Sequence, residues 1–192
     1  MSSLRHEPDP RRSARDGYLD AARDCILDVG WRRTTLTEVA RRAGVSRMTI
    51  YLAWPDMGRL LGDLMTREWA GIVTASDPEA DIADRLIDTV RALRGNELFV
   101  RIVELDPELL LPYLLSRRGR SQQALLELLR ARIEAGQRSG EIRAGSADTL
   151  ARGLLLTSHG FVFSTHTMVD DDVSVADLDA ELGLLVERAL RP

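Results

Sequence analysis

The chain has 192 residues, 44% of them apolar and a formal net charge of −4, which allows one or two domains with a sizeable core. It holds no run of about 18 apolar residues and no apolar segment near the N-terminus, so neither a membrane span nor a signal peptide is expected. A single cysteine, Cys25, excludes an internal disulfide and fits a reducing cytoplasm.

Every basic residue except the histidines is arginine, and the charge is uneven. Residues 1–55 hold 10 arginines against 7 acids, and residues 56–192 hold 16 against 23. A mildly basic head on an acidic body suits a protein that touches DNA at one end.

In chain order, residues 1–11 carry two prolines and mixed charges and read as a disordered arm. From residue 12 to 29, Tyr18, Ala21, Ala22, Cys25, Ile26 and Val29 recur at helical spacing, which predicts a first helix with Cys25 buried on its stripe. Gly30 ends that helix, and Trp31 is placed to seal a small core. Thr35 and Glu38 then have the spacing of a capping box, and Leu36, Val39, Ala40 and Ala43 form the apolar side of a short second helix. Gly44 suits a helix C-terminus, Val45 plugs the turn, and Ser46 is an N-cap for a third helix over 47–52. That helix is too short to stand alone. It turns Ile50 inward and leaves Arg47, Met48, Thr49 and Tyr51 outward, the layout of a helix-turn-helix whose second helix enters the major groove.

The run Gly30-Trp31-x-x-Thr34-Thr35-Leu36-x-Glu38-Val39-Ala40-x-x-Ala43-Gly44-Val45-Ser46-x-x-Thr49-Ile50-Tyr51-x-x-Trp54 resembles the N-terminal domain of TetR-family transcriptional regulators. The resemblance covers about a quarter of the chain. It implies an all-α protein: a three-helix DNA-binding domain over 12–56 and a helical ligand-binding and dimerisation domain over 57–192. Two positions depart from the family pattern. Ala53 stands where His, Tyr or Arg is usual, and Met57 where a lysine is usual; both positions normally meet phosphates.

Beyond the motif, Pro55 and Asp56 stop the recognition helix and cap a long one over 57–75, which in the family joins head to body. Helices are expected over 79–94, 98–105, from Asp106-Pro107 through the 109–115 run (bent by Pro112), over 121–138 and 146–165, and over 178–190. Residues 169–174, with three consecutive acids, read as a solvated loop. No strand alternation or internal repeat is present.

The histidines His6, His159 and His166 supply no metal-ligand spacing. Ser158 adjoins His159 and points elsewhere, so no triad forms. No enzyme activity, metal or cofactor is expected. Arg47, first residue of the recognition helix, is the candidate to read guanine, with Thr49 and Tyr51 on phosphates and Met48 beside them. Thr35 and Thr37, at the start of the preceding helix, are further candidates. Arg59, in the first turn of the connecting helix, is a candidate phosphate contact, because a cation there opposes the helix dipole unless it meets an anion.

Following the family, a small apolar or amphipathic effector is expected near Met65, Trp69, Leu86, Val90, Val103, Tyr113, Leu129 and His159. A two-fold dimer is expected to pair helices 121–138 and 146–165 and to bind a near-palindromic double-stranded operator. Two functions stay open: a dimeric repressor released by its effector, or a helical ligand-binding or adaptor protein that keeps the fold and has lost operator binding.

Overall fold

The computed structural model describes residues 10–75, 77 and 80–192, the side chains of residues 10–13 excepted. Among these residues it is all-helical: α1 (Pro10–Val29), α2 (Leu36–Arg42), α3 (Arg47–Ala53), α4 (Met57–Ala75), α5 (Ile82–Arg94), α6 (Glu97–Leu105), α7 (Leu111–Leu115), α8 (Arg120–Ser139), α9 (Ala147–Phe163) and α10 (Val175–Leu190). None of these helices is long and apolar enough to cross a membrane. Most of the expected arm lies outside the described residues. Its last two positions do not belong to an arm, because α1 begins at Pro10, where the missing N–H has no helical partner to lose.

The contacts group into two compact units. One unit holds the chain through Glu68 together with Glu97–Leu110, and the other holds Trp69–Asn96 with Leu111–Pro192.

The head unit is built on a small apolar core. α1 contributes Leu19, Ala22, Cys25 and Ile26, α2 Leu36, Val39 and Ala40, and α3 Ile50; Trp54, Leu60 and Leu64 follow, and α6 adds Leu98 and Ile102. Val29 is not part of it. It is 45% exposed because the stripe of α1 runs out where Gly30 turns the chain with φ +83. A non-glycine residue would be strained there. A 3₁₀ turn, Trp31–Arg33, leads into α2, and Trp31 packs against the core as expected.

At the other end of the sequence pairing, the buried carboxylate of Asp106 accepts the Trp31 N–H at 3.1 Å and lies 3.3 Å from Arg32 Nε. Glu108 takes Arg32 Nη2 at 2.6 Å. The segment after α6 is therefore fastened to the corner between α1 and α2.

In the second unit, α5 packs on α9 and α10, and α8 on α9. Helix limits follow the caps. α5 begins at Ile82, not residue 79, because Asp81 accepts the Asp84 N–H at 2.8 Å. The helix expected through 109–115 is broken instead of bent. A 3₁₀ turn spans Pro107–Leu109 in the head unit, and α7 starts afresh at Leu111 in the second. Two prolines without N–H donors deny that stretch a continuous ladder. α9 ends at Phe163 and His166 sits in the next 3₁₀ turn, so His159 and His166 share no helix. The Ser174–Asp177 capping box starts α10 at Val175, three residues early.

The polar centre of this unit is Asp179, 3% exposed on α10. It accepts from Arg91 Nε at 2.7 Å and from Arg94 Nη2, both on α5, and Arg94 also donates to Thr165 Oγ1 at 3.0 Å. A buried carboxylate is tolerated when its charge and lone pairs are matched in this way.

Candidate nucleic-acid interface and effector residues

The helix-turn-helix is set by two caps. Thr35 Oγ1 accepts the Glu38 N–H at 3.2 Å and starts α2; Ser46 Oγ accepts the Thr49 N–H at 3.1 Å and starts α3. Between them Gly44 takes φ +68 and half-buried Val45 packs on the core. The box at α2 is only half made. Glu38 does not reach back; it grips Arg41 with bonds of 3.1 and 2.6 Å, since a guanidinium one turn along is a stronger partner than a backbone N–H. That grip holds the Glu38 carboxyl below its ordinary range.

On α3, Ile50 is fully buried while Arg47 is exposed and Met48 and Tyr51 are 66% and 49% exposed. Thr49 is not free in the way its outward placement suggested. It is half-buried and its hydroxyl lies 2.8 Å from Ser46 Oγ, so the N-cap occupies part of its hydrogen-bonding capacity. Leu52, 81% exposed, belongs to the same surface and was missed, because its apolar character reads as core.

Trp54 closes the helix from beneath. It is buried, donates Nε1–H to Asp63 at 2.9 Å, meets Tyr18 edge-on at 6.5 Å and carries Arg15 over its ring at 4.5 Å. Ala53 is half-buried, and Met57 packs its side chain on the core. Asp56 caps α4 through the Arg59 N–H at 2.7 Å, and the Arg59 guanidinium is exposed with no partner among the described residues. Thr35 is exposed and Thr37 half-buried. Cys25 is 2% exposed, and burial pushes its thiol pKa up, with Arg42 offsetting only part of it. This is a core thiol.

The expected effector residues fall in both units. Met65 and Val103 belong to the head unit, and Trp69, Leu86, Val90, Tyr113, Leu129 and His159 to the second. Leu86, Val90 and Leu129 are buried, and Trp69 and His159 half-buried. The backbone of Tyr113 and the ring of His159 come together around Gln122, a buried residue that sequence reading passed over, while the Tyr113 ring lies under the Arg117 guanidinium at 5.0 Å. Gln122 Oε1 accepts the Gly119 N–H at 2.8 Å; its Nε2 donates to Tyr113 O at 3.2 Å and lies 3.5 Å from His159 Nε2. Phe163 meets the His159 ring edge-on at 6.1 Å.

Burial pushes the His159 pKa down, so the folded state binds this proton less readily than the unfolded chain. Its contribution to stability is therefore complete above about pH 6.5, the ordinary value, and is lost as the pH falls below it. Thermal melts of wild type and His159→Gln between pH 8 and 5 should diverge, with the wild type losing more on acidification. Parallel curves would contradict this.

Residues 19–64 match the family model for bacterial regulatory proteins of the tetR family. An uncharacterized HTH-type transcriptional regulator of Mycobacterium tuberculosis H37Rv is 38% identical over 168 residues, covering 85% of this chain and 87% of its own. A regulator from Mycobacterium bovis matches to the same extent. Salmonella enterica GusR superposes with a TM-score of 0.65 at 21% identity, over 95% of this chain and 98% of its own. SmeT in its triclosan complex does so with a TM-score of 0.60 at 22% identity, over 92% and 90%. With a capped helix-turn-helix that matches the family model and a relative this similar over most of both chains, the chain belongs to the TetR family of bacterial transcriptional regulators. Such proteins are regulators, and the chain is not an enzyme.

Proposed function

We propose that this protein is a cytoplasmic homodimer that binds a near-palindromic operator in a sequence-specific way and is released by a small apolar or amphipathic effector. The observation that carries DNA binding is α3 itself. Its core side is closed by Ile50, its N-terminus is capped, and Arg47, Met48, Tyr51 and Leu52 stand in solvent. A short helix with its apolar residues Met48, Tyr51 and Leu52 exposed is costly without something to meet. Arg47 reads a guanine, and Tyr51 and Thr49 hold phosphates, with Thr35 and Thr37 at the backbone. In this reading residues 12–56 are the DNA-binding domain and 57–192 the regulatory and dimerisation domain. Capture of genomic fragments by the pure protein, followed by sequencing, tests this directly: enrichment of a shared inverted repeat is expected, and random recovery would favour the adaptor reading, in which uncharged Ala53 and Met57 mark a lost operator contact.

Arg59 adds a phosphate contact in this reading. Its unpaired, exposed guanidinium sits in the first turn of α4, where the Asp56 carboxylate takes the Arg59 N–H and leaves the side chain to meet an anion outside the chain. Arg59→Ala should make the log–log salt dependence of operator binding shallower by about one per subunit, without changing sequence preference. An unchanged slope removes the contact.

Dimerisation was expected through the helices at 121–138 and 146–165. The exposed apolar residues put α9 first, joined by α10, while α8 offers Leu128 at 37% exposure. On α8, Leu126, Leu129 and Ile133 are buried in the subunit. On α9, Leu156 is 70% exposed between Gly153 and Gly160, where an added Cβ would meet nothing within 4 Å, and on α10 Leu184 and Leu185 are 42% and 43% exposed. Bare glycines flanking an exposed leucine permit close approach of a second helix. Light scattering at micromolar concentration should return a dimer, and Leu156→Arg should return a monomer with a much weaker operator complex. A wild-type monomer would overturn the pairing.

For the effector, support comes from neighbours of this fold: SmeT is known in complex with triclosan, and a regulator from Saccharomonospora viridis in complex with choline. Within the second unit, Trp69, Tyr113 and His159 supply an indole, a phenol and an imidazole to orient a polar atom, with Leu86, Val90 and Leu129 as apolar lining. The effector has to bind the DNA-incompetent state more tightly, or it cannot cause release.

A further inference from the structure

We propose that Arg33 is a phosphate anchor at the start of α2, a contact that rests on the DNA-binding reading above. The 3₁₀ turn Trp31–Arg33 has three residues per turn, so its side chains fan out about 120° apart. Trp31 takes the core direction. Arg32 is drawn to the carboxylates of Asp106 and Glu108. Arg33 takes the third direction, into solvent, and has no partner among the described residues.

Elimination across the head strengthens the assignment. Between Arg15 and Arg67, six arginines are tied to carboxylates: Arg15 to Asp63, Arg23 to Glu68 and Glu97, Arg32 as above, Arg41 to Glu38, Arg42 to Asp28, and Arg67 to Asp20 and Glu68. Arg33, Arg47 and Arg59 alone in this stretch have no such tie among the described residues. Two of these already have roles at DNA in the reading above. Paired arginines are electrically neutralised; the free ones carry the positive field of the head.

Position decides what Arg33 meets. It lies two residues before the Thr35 cap of α2, and in a helix-turn-helix the first helix of the motif crosses the DNA backbone while the second enters the groove. Of the neighbouring hydroxyls, that of Thr34 is buried and donates to Gly30 O at 2.9 Å, while Thr35 Oγ1 accepts the Glu38 N–H and keeps its own O–H for the DNA backbone. Among the described residues Arg33 is the free cation at this corner, beside the exposed Thr35 hydroxyl. A guanidinium there forks onto a phosphate and carries no base information.

The test uses full-length protein and a genomic fragment that the wild type retains, titrated across a salt series. Arg33→Ala is expected to make the log–log slope shallower by about 0.9 per subunit with sequence preference unchanged, and Arg33→Lys to restore most of the slope. Arg33→Gln, checked by an unchanged melting temperature, guards against an effect of side-chain size. A wild-type slope in Arg33→Ala overturns the proposal, as does a changed preference at one base pair, which would put Arg33 in the groove. Failure of the wild type to retain any fragment would overturn the DNA-binding reading, and Arg33 with it.

Discussion

Replacing Arg47 with alanine is expected to cost about 1–3 kcal/mol per half-site and to relax preference at one base pair in each half. That is roughly a 5- to 150-fold loss of affinity for each half-site. Arg47 opens α3, the end of a recognition helix nearest the base edges, and is exposed without a carboxylate to neutralise it. Its fork matches the N7 and O6 acceptors of guanine. Stability should not change, because the side chain buries nothing and the Ser46 cap remains. Selection from a randomised half-site library separates this from a backbone role: a flattened position is expected. An unaltered sequence profile with weaker overall binding would move Arg47 to a phosphate.

The largest effect on stability is expected from Asp179→Ala. This carboxylate is almost fully buried and holds Arg91 and Arg94 of α5 against α10, with Thr165 completing the network. Removing one partner of a buried ion pair leaves uncompensated charge, at about 3–5 kcal/mol in well-enclosed cases. Arg91 is half-exposed and keeps access to water, so about 3 kcal/mol is expected here. For a chain of this size that lowers the melting temperature by roughly 6–12 °C. Asp179→Asn keeps the shape and one acceptor and should lose about half as much. A melting temperature within a degree of wild type for Asp179→Ala would mean that the network is dispensable.

The two predictions differ in how far they could be read without coordinates. Arg47 follows from signals within a few residues: a cap at Ser46, a turn glycine at Gly44, an inward Ile50. Each is an i to i+3 or i+4 relation, which is the range over which a helix imposes its geometry on a sequence. The same range made α1, α2 and the start of α4 legible. It failed where a choice had to be made between nearby partners, as when Glu38 took Arg41 and not its own cap, or where prolines broke a pattern whose apolar spacing ran on, as between residues 107 and 115.

What the sequence determined by itself, then, was the all-helical class, the motif and the outward placement of Arg47, Met48 and Tyr51 on α3. Only tertiary structure decided which charges are spent. Asp179 finds its arginines 85 and 88 residues away, and Asp106 meets the Trp31 N–H across 75. Nothing in local spacing marks those pairs, because an acid on a helix reads as solvated until another element covers it. The same holds for the arginines of the head. They are alike in sequence, and only the packing of α1, α2, α4 and α6 shows which are neutralised by a carboxylate and which, like Arg33, are left with their charge free for a partner outside the chain.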